Sequence, residues 1–173
     1  MKKKLFILVG CAGTGKSTWV KNHIRTLEGT SAAVSRDAIR FSLVGEDEEY
    51  FSKETQVFHQ YVKELKDSLY LNDNTIADAT QINEMSRNKL LRALGSSLKD
   101  VEINAIVFKN DLDTIKAQNE ERKGTRAYVP VDQIKRMYTQ LTAPTFEEGF
   151  DKIYFYNPKK TNIKYTIIEK EKK

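Results

Sequence analysis

A motif near the amino terminus constrains the fold of this chain more than any other feature. Residues 10–18 read GCAGTGKST, which matches the pattern G-x-x-x-x-G-K-[ST], and they follow directly on the apolar run Leu5–Val9. A strand that passes through such a loop into a helix forms a phosphate-binding loop, because the glycines let successive backbone N–H groups turn toward phosphate oxygens. The residues expected to hold a nucleotide here are Gly10, Gly13, Thr14, Gly15, Lys16, Ser17 and Thr18.

Two side chains of this loop have separate expected roles. Lys16 would bridge the β- and γ-phosphates as a mobile cation, and the Ser17 hydroxyl would bind Mg²⁺. The expected cofactors are therefore ATP, or another NTP, as phosphate donor, together with Mg²⁺. Cys11 lies inside the loop and is expected to be a small packed residue, since no neighbour in sequence offers a general base.

Short apolar runs alternate with longer segments of helical period along the chain. This alternation is typical of βαβ units, whose parallel strands are covered on both faces. The predicted strands are Leu5–Val9, Ala32–Ser35, Thr75–Ala77, Glu102–Phe108 and Lys152–Tyr156. The predicted helices cover 18–27, 52–71, 83–98, 111–122 and 130–141. The expected fold class is α/β, a doubly wound parallel sheet in a single domain over residues 1–173.

Composition supports a globular domain and excludes several other classes of protein. The 173 residues are 39% hydrophobic and 31% charged, which is enough to bury a core and too apolar for a disordered chain. Cys11 is the only cysteine and His23 and His59 are the only histidines, so a disulfide framework and a cysteine- or histidine-built zinc site are excluded. The first apolar run is too short for a signal peptide or a membrane span, which predicts a cytoplasmic protein without a membrane partner.

The basic net charge resides at the two ends of the chain. The formal charge is +5, but Lys2–Lys4 and the basic tail 158–173 together carry +7, which leaves −2 for residues 5–157. The charge therefore supports a nucleic-acid partner only weakly. We expect the tail to be a solvated end, with a salt-sensitive attraction to a polynucleotide as the alternative.

Carboxylates are predicted at the ends of the second and third strands, on the edge of the sheet that carries the phosphate loop. Asp37 is placed to orient an attacking hydroxyl and accept its proton, and Arg40 shares its face three residues on, where it can bind an acceptor phosphate. The alternative is that Asp37 only caps a helix while Arg40 pairs with it or is solvated. Asp78 either accepts hydrogen bonds from Ser17 or from Mg²⁺-bound water, or caps the next helix.

Residues 117–130 are predicted to form a lid over the phosphates. A charged helix end breaks at Gly124 and is followed by Pro130, and a cation carried on such a segment can close over a γ-phosphate and exclude water. Arg122 is the first candidate for this cation, with Lys123 and Arg126 as the next. The alternative is a solvated helix end whose charges neutralise one another.

The phosphate loop by itself leaves the reaction open among a GTPase switch, an ATPase motor and a kinase. A guanine-specific protein normally carries Asn-Lys-x-Asp after a strand. The nearest segment here, residues 108–111, reads FKND and has the wrong order, which disfavours a GTPase.

Several segments together resemble the phage-type 5′-hydroxyl polynucleotide kinases, a family within the P-loop kinase superfamily. The similarity runs from about Lys3 to Leu141, which is the whole of the kinase domain, and 146–156 resemble the last strand of related enzymes. The segments that carry it are GCAGTGKSTW at 10–19, SRDAIR at 35–40, ADATQINEMSR at 77–87, NEERKGTRAYVP at 119–130 and VDQIKRMY at 131–138.

The resemblance implies transfer of the ATP γ-phosphate to the 5′-hydroxyl end of DNA or RNA. It implies Asp37 as general base, Arg40 as the ligand of the acceptor's phosphate and Arg122 as the lid arginine, beside Lys16 and Ser17 at the phosphates and the metal. If the protein is viral, its expected location is the host cytoplasm.

This chain departs from the family pattern at several points. It has no downstream phosphatase motif, Ala79 and Thr80 replace the usual Thr-Asn after the aspartate, and Gln118 stands in place of an arginine. Two other functions stay open at this stage. One is a small-molecule or nucleoside kinase of the same fold, and the other is a nucleotide-dependent switch or nucleic-acid-binding module without transfer activity.

Overall fold

The computed structural model describes residues 2–157 and 165–169, which form a six-stranded sheet with helices packed around it. The strands are β1 Lys4–Val9, β2 Ser31–Ser35, β3 Asn74–Asp78, β4 Glu102–Phe108, β5 Lys152–Tyr156 and β6 Tyr165–Glu169. The helices are α1 Lys16–His23, α2 Arg36–Leu43, α3 Glu54–Leu71, α4 Glu84–Leu94, α5 Leu112–Glu120 and α6 Val131–Gln140. Short 3₁₀ segments cover Ile24–Thr26, Gly95–Leu98 and Phe146–Glu148.

The strand order is β2-β3-β1-β4-β5-β6, and β1 to β5 pair in parallel. The central strand β1 lies between β3 and β4, with Ile7 opposite Ala77 and Val9 opposite Val107. Every residue of β3 is buried, as expected for a strand covered on both faces. The predicted α/β class with a doubly wound parallel sheet is confirmed, and the predicted strands agree with the structure to within one residue at each end.

Helix boundaries follow capping residues that are visible in the sequence. The Asn83 side chain accepts from the backbone N–H of Ser86 and caps α4, and the Asp111 side chain accepts from Thr114 N at 2.8 Å and caps α5 as predicted. Pro130 precedes α6, where its fixed φ suits a helix start. In the described part of the chain, no helix combines the length and the apolar character needed to cross a bilayer.

Two apolar clusters cover the two faces of the sheet. The larger packs α3 and α4 against the side chains of Leu5, Ile7 and Val9 on β1. The smaller packs Trp19 of α1 against the alternate side chains of β1 and against β4 and β5. The side chains of β1 thus alternate between the two clusters, as expected for a strand covered on both faces.

A buried ion pair ties α4 to the segment before β5. Arg87 is fully buried and forms a bidentate pair with Glu148, with Nε to Oε2 at 2.7 Å and Nη2 to Oε1 at 2.8 Å. Arg87 Nη1 also donates to the carbonyls of Gln81 and Thr142. These bonds satisfy a charge inside the protein and hold the loop after β3 in place.

Part of the predicted basic tail belongs to the sheet. Residues 165–169 form β6, which pairs antiparallel with β5, and Trp19 Nε1 donates to the Tyr165 hydroxyl at 2.6 Å. Residues 166–169 are exposed, as expected for a solvated end, but they form an edge strand that was not predicted. The aromatic Tyr165 and the β-branched Thr166, Ile167 and Ile168 favour a strand. Residues 158–164 and 170–173 of the tail lie outside the described residues.

Candidate active site

The phosphate-binding loop joins the carboxyl end of β1 to the amino end of α1. Gly13 and Gly15 have φ of +84° and +87°, a left-handed conformation that is strained for residues with a Cβ. Gly15 is the N-cap of α1, so the unpaired N–H groups of the first helical turn face the loop. A Cβ on Gly10 would lie 2.9 Å from Thr14 Oγ1, which explains the glycine at that position.

The Lys16 side chain folds back over this loop. Its ammonium donates to the carbonyl oxygens of Gly10 at 2.9 Å and Cys11 at 2.6 Å, and the residue is 8% exposed. Burial lowers the pKa of Lys16 to about 8, and the carboxylate of Asp78 partly opposes this effect. An anionic phosphate in the loop would give the ammonium a charged partner and so favour its protonated form.

Ser17 and Asp78 connect the phosphate loop to the end of β3. Ser17 Oγ donates to Asp78 Oδ2 at 3.0 Å. Burial raises the pKa of the Asp78 carboxyl, while Lys16 and the Ser17 hydrogen bond act in the opposite direction. The next helix begins only at Glu84, so the alternative that Asp78 caps it is wrong. A hydroxyl and a carboxylate are hard oxygen ligands that suit Mg²⁺, which usually keeps several waters and binds substrate phosphates.

Asp37 and Arg40 bond to each other on the first turns of α2. Arg40 Nη1 donates to Asp37 Oδ1 at 2.5 Å, and the Tyr50 hydroxyl donates to the same oxygen at 3.0 Å. Arg40 Nη2 donates to Glu54 Oε2 at 2.8 Å, and Glu54 Oε1 accepts from Arg36. The Asp37 side chain is 65% exposed whereas that of Arg40 is 6% exposed. The pair therefore presents a carboxylate to the solvent with a guanidinium behind it.

The cap of α2 excludes one of the interpretations of Asp37. Ser35 Oγ accepts from Ala38 N at 3.3 Å, so Ser35 is the capping residue and the helix begins at Arg36. The alternative that Asp37 caps this helix is wrong, although its pairing with Arg40 is present. The Asp37 carboxylate thus remains available on the side that faces the cavity.

These groups surround one cavity of about 210 Å³. It lies at the carboxyl edge of the sheet, between the phosphate loop, the ends of β2 and β3, the start of α3 and the segment between α5 and α6. Among the predicted site residues, Gly13, Gly15, Lys16, Ser17, Asp37, Arg40, Asp78 and Arg122 line it. The structure therefore brings the predicted donor-side and acceptor-side groups into a single space.

The predicted lid is a loop closed at its base. The side-chain amide of Asn119, which is fully buried, donates to Val129 O at 2.7 Å and accepts from Val129 N at 3.0 Å. Arg122 lies on this loop and lines the cavity, and its charge contributes to lowering the pKa of Lys16. The loop thus holds a second cation beside the one in the phosphate loop.

Four predicted nucleotide ligands lie outside the cavity lining. Thr14 stabilises the loop internally, since its Oγ1 donates to Cys11 O, and Gly10 joins the loop to the segment after β3, since its N–H donates to Thr80 O. Thr18 is exposed on the first turn of α1. Arg126 donates to the carbonyl of Val44 at 2.7 Å, so it joins the lid to the end of α2. Lys123, the other candidate lid cation, pairs with Glu120 at 2.7 Å.

Sequence reasoning missed one wall of the cavity, which lies beside Asp37 and Arg40. Tyr50, Phe51 and Glu54 line it together with Arg36. The preceding acidic run 46–49 is exposed. An aromatic pair directly after an acidic loop was the available signal, but only the packing of α3 against α2 brings these side chains beside Asp37.

Comparison with known proteins agrees with this architecture. Residues 5–144 match the AAA_33 family, which is described as an AAA domain. The chain belongs to this family. The fold of this AAA domain is that of the P-loop kinases. No curated protein matches the chain.

Several solved structures resemble this AAA domain, among them the following three. A chain in the Pnkp1/Rnl/Hen1 RNA repair complex is 28% identical, with a TM-score of 0.56, over 80% of this chain and 44% of that one. This chain therefore spans less than half the length of that relative. A gluconokinase from Sinorhizobium meliloti 1021 is 11% identical over 92% of this chain and 85% of its own, with a TM-score of 0.57. Kti12 from Chaetomium thermophilum, in complex with ADP-AlF₃, is 12% identical over 91% of both chains, with a TM-score of 0.65. At these low identities, the last two show the fold alone.

Proposed function

We propose that this protein transfers the γ-phosphate of ATP to the 5′-hydroxyl end of a DNA or RNA strand. The observation that carries the proposal is the Asp37–Arg40 pair, in which an exposed carboxylate and a buried guanidinium face the cavity of the phosphate loop. A hydroxyl acceptor needs a base, and an acceptor that carries a phosphate beside that hydroxyl needs a cation. Asp37 and Arg40 supply both within one helical turn.

On the acceptor side, Asp37 orients the attacking hydroxyl and accepts its proton. The hydroxyl oxygen forms a bond to the γ-phosphorus while the bond from that phosphorus to the β,γ-bridging oxygen breaks, and ADP leaves with the electron pair. Tyr50 donates to Asp37 Oδ1, which limits the rotation of the carboxylate. The other oxygen, Oδ2, is the one we assign to the acceptor hydroxyl.

On the donor side, cations neutralise the charge of the transferred group. Lys16 moves from the Gly10 and Cys11 carbonyls to the phosphates, and Arg122 approaches them from the lid. Ser17, with Asp78 acting through a water, would hold Mg²⁺, which screens the phosphate oxygens when bound. The lid keeps bulk water from the γ-phosphate and so disfavours hydrolysis.

Similarity to a solved structure also supports a nucleic-acid substrate. The relative with 28% identity comes from an RNA repair complex. The preference between DNA and RNA depends on contacts to the 2′-hydroxyl, so both kinds of strand serve as acceptors in the deciding experiment.

A second candidate is a kinase for a small hydroxyl-bearing molecule. Both Nη groups of Arg40 already bond carboxylates, those of Asp37 and Glu54. A neutral acceptor would leave these pairs intact, whereas an acceptor phosphate has to displace Glu54. This observation favours a sugar or nucleoside as the alternative acceptor.

The deciding experiment follows label from γ-labelled ATP into competing acceptors in the presence of Mg²⁺. The acceptors are 5′-hydroxyl DNA and RNA oligonucleotides, the same strands with a 5′-phosphate, free nucleosides and gluconate. Label in the 5′-hydroxyl oligonucleotides alone is the expected result. Label only in small molecules would replace the proposal by the second candidate, and no label in any acceptor would leave a nucleotide-dependent switch or binding module.

A further inference from the structure

The α2–α3 connection places an aromatic ring at the mouth of the cavity. Phe51 lines the cavity and is 49% exposed, which makes it the most solvent-open large apolar side chain among the described lining residues. A single exposed aromatic residue is common on protein surfaces and has no meaning by itself. Phe51 differs because its ring is fixed by neighbours that belong to the acceptor side of the site.

Two contacts hold this ring. The Tyr50 ring packs edge-on against Phe51 with centroids 4.7 Å apart, and the Arg40 guanidinium lies 5.6 Å from the Phe51 centroid. Arg40 also lies 4.6 Å from the centroid of Tyr50, whose hydroxyl bonds Asp37. Phe51 is therefore linked through Tyr50 to Asp37, the proposed general base. It also contacts Arg40, the proposed ligand of the acceptor's phosphate, directly.

The arrangement offers three different chemical groups side by side. Asp37 suits a hydroxyl, Arg40 suits a phosphate, and the open part of Phe51 suits a flat π-system. A terminal nucleotide carries all three groups, as its 5′-hydroxyl, its 3′-phosphate and its base. A sugar acid has no aromatic ring with which to cover Phe51, so the exposed apolar area of Phe51 would stay in water.

We propose that Phe51 stacks on the nucleobase of the 5′-terminal nucleotide of the acceptor strand. This inference rests on the proposed function and adds a substrate contact to it. Stacking on an aromatic ring tolerates any base, because every base has a π-face. The contact therefore selects nucleotides over other hydroxyl acceptors, without selecting a sequence.

The test compares 5′-hydroxyl oligonucleotides that have either a normal or an abasic residue at the 5′ end. For the unmodified protein, kcat/KM is expected to fall about ten-fold on removal of the base, in line with alanine substitutions at stacking sites. Phe51→Ala is expected to lower kcat/KM for the normal strand by a similar factor and to abolish the difference between the two strands. Phe51→Trp should restore the difference. Tyr70→Ala is the matched control, since Tyr70 is 83% exposed near the end of α3.

Binding of the same fluorescent strands, measured by anisotropy, separates this inference from the proposed function. If phosphate is transferred to the normal strand, and Phe51→Ala still prefers the normal strand over the abasic one, the stacking contact is wrong while the kinase proposal stands. If the unmodified protein binds the normal strand more tightly than the abasic one, Phe51→Ala removes this difference and no phosphate is transferred, the stacking contact stands and the kinase proposal is wrong. If neither strand binds or is phosphorylated, both proposals are wrong.

Discussion

Arg40 Nη1 lies 2.5 Å from Asp37 Oδ1, so the two residues singled out at the end of β2 form a charge-assisted hydrogen bond on one face of α2. Asp37 is largely exposed and Arg40 is buried. A carboxylate held in this way keeps one oxygen bound and leaves the other for a substrate. Its substitution should therefore affect the reaction much more than the fold.

Asp37→Asn should lower the rate of transfer by about 10²- to 10⁴-fold, because it removes the general base and keeps the side-chain shape. Binding of ATP should change little, since Lys16 and the phosphate loop are untouched. Single-turnover transfer and nucleotide titration measure the two effects. Asp47→Asn, in the exposed acidic loop, is the matched control. Loss of ATP binding in a folded Asp37→Asn protein would mean that this carboxylate serves the nucleotide instead.

Substitutions on the two sides of the Arg40–Glu54 pair should have opposite effects on acceptor binding. Arg40→Ala should weaken the binding of acceptors with a 3′-phosphate about ten-fold or more, and should affect acceptors without it much less. Glu54→Gln should strengthen the binding of acceptors that carry a 3′-phosphate, because Arg36 and Arg40 lose their shared carboxylate. Steady-state kinetics at low and high salt measure both effects through the Michaelis constant of the acceptor, and salt should weaken them. If the Michaelis constant changes equally for acceptors with and without a 3′-phosphate, the phosphate contact lies elsewhere.

Glu148→Gln should lower the free energy of unfolding by about 3–5 kcal/mol, because it leaves the buried Arg87 guanidinium without its charged partner. Urea unfolding followed by circular dichroism provides the measurement. Asp67→Asn, which removes the exposed pair with Lys63, should change stability by less than about 0.5 kcal/mol. Equal effects of the two substitutions would show that burial of the Arg87 pair is incomplete in solution.

Tyr165→Phe should cost about 1 kcal/mol, since it removes the acceptor of the Trp19 indole N–H. Trp19 is the only tryptophan, so its fluorescence reports directly on the docking of β6. We expect a changed emission maximum together with a lower urea midpoint. Tyr70→Phe, at an exposed position, should change neither. An unchanged emission in Tyr165→Phe would mean that β6 is not docked on Trp19 in solution.

Cys11 should react slowly with thiol reagents in the native protein. Its side chain is fully buried, and burial raises the pKa of the thiol, so the reactive thiolate is scarce at neutral pH. Labelling should accelerate strongly in urea and, in the native state, should accelerate with rising pH as the thiolate forms. Because the chain has one cysteine, mass spectrometry quantifies the reaction without ambiguity. Equal native and urea rates would contradict the packed position of Cys11.

Much of the fold was predictable because its signals are local. The phosphate-loop motif, the apolar β-branched strands and the caps at Asn83 and Asp111 act within a few residues along the chain. Strand β6 was missed because the lysines around it outweigh a short β-branched segment when only composition is considered. Pairing with β5 and the bond from Trp19 decide its structure, and both come from distant parts of the sequence.

The sequence by itself determined that this chain is a doubly wound α/β protein with a nucleotide site at the end of β1. It also placed Asp37 and Asp78 at that edge, because the carboxyl ends of parallel strands meet there. Only the tertiary structure decided that Ser35 rather than Asp37 caps α2, that Glu54 binds Arg40, and that Tyr50 and Phe51 line the cavity. Those relationships depend on how α3 packs against α2, and helix packing is set by the shapes of whole surfaces rather than by spacing along one segment.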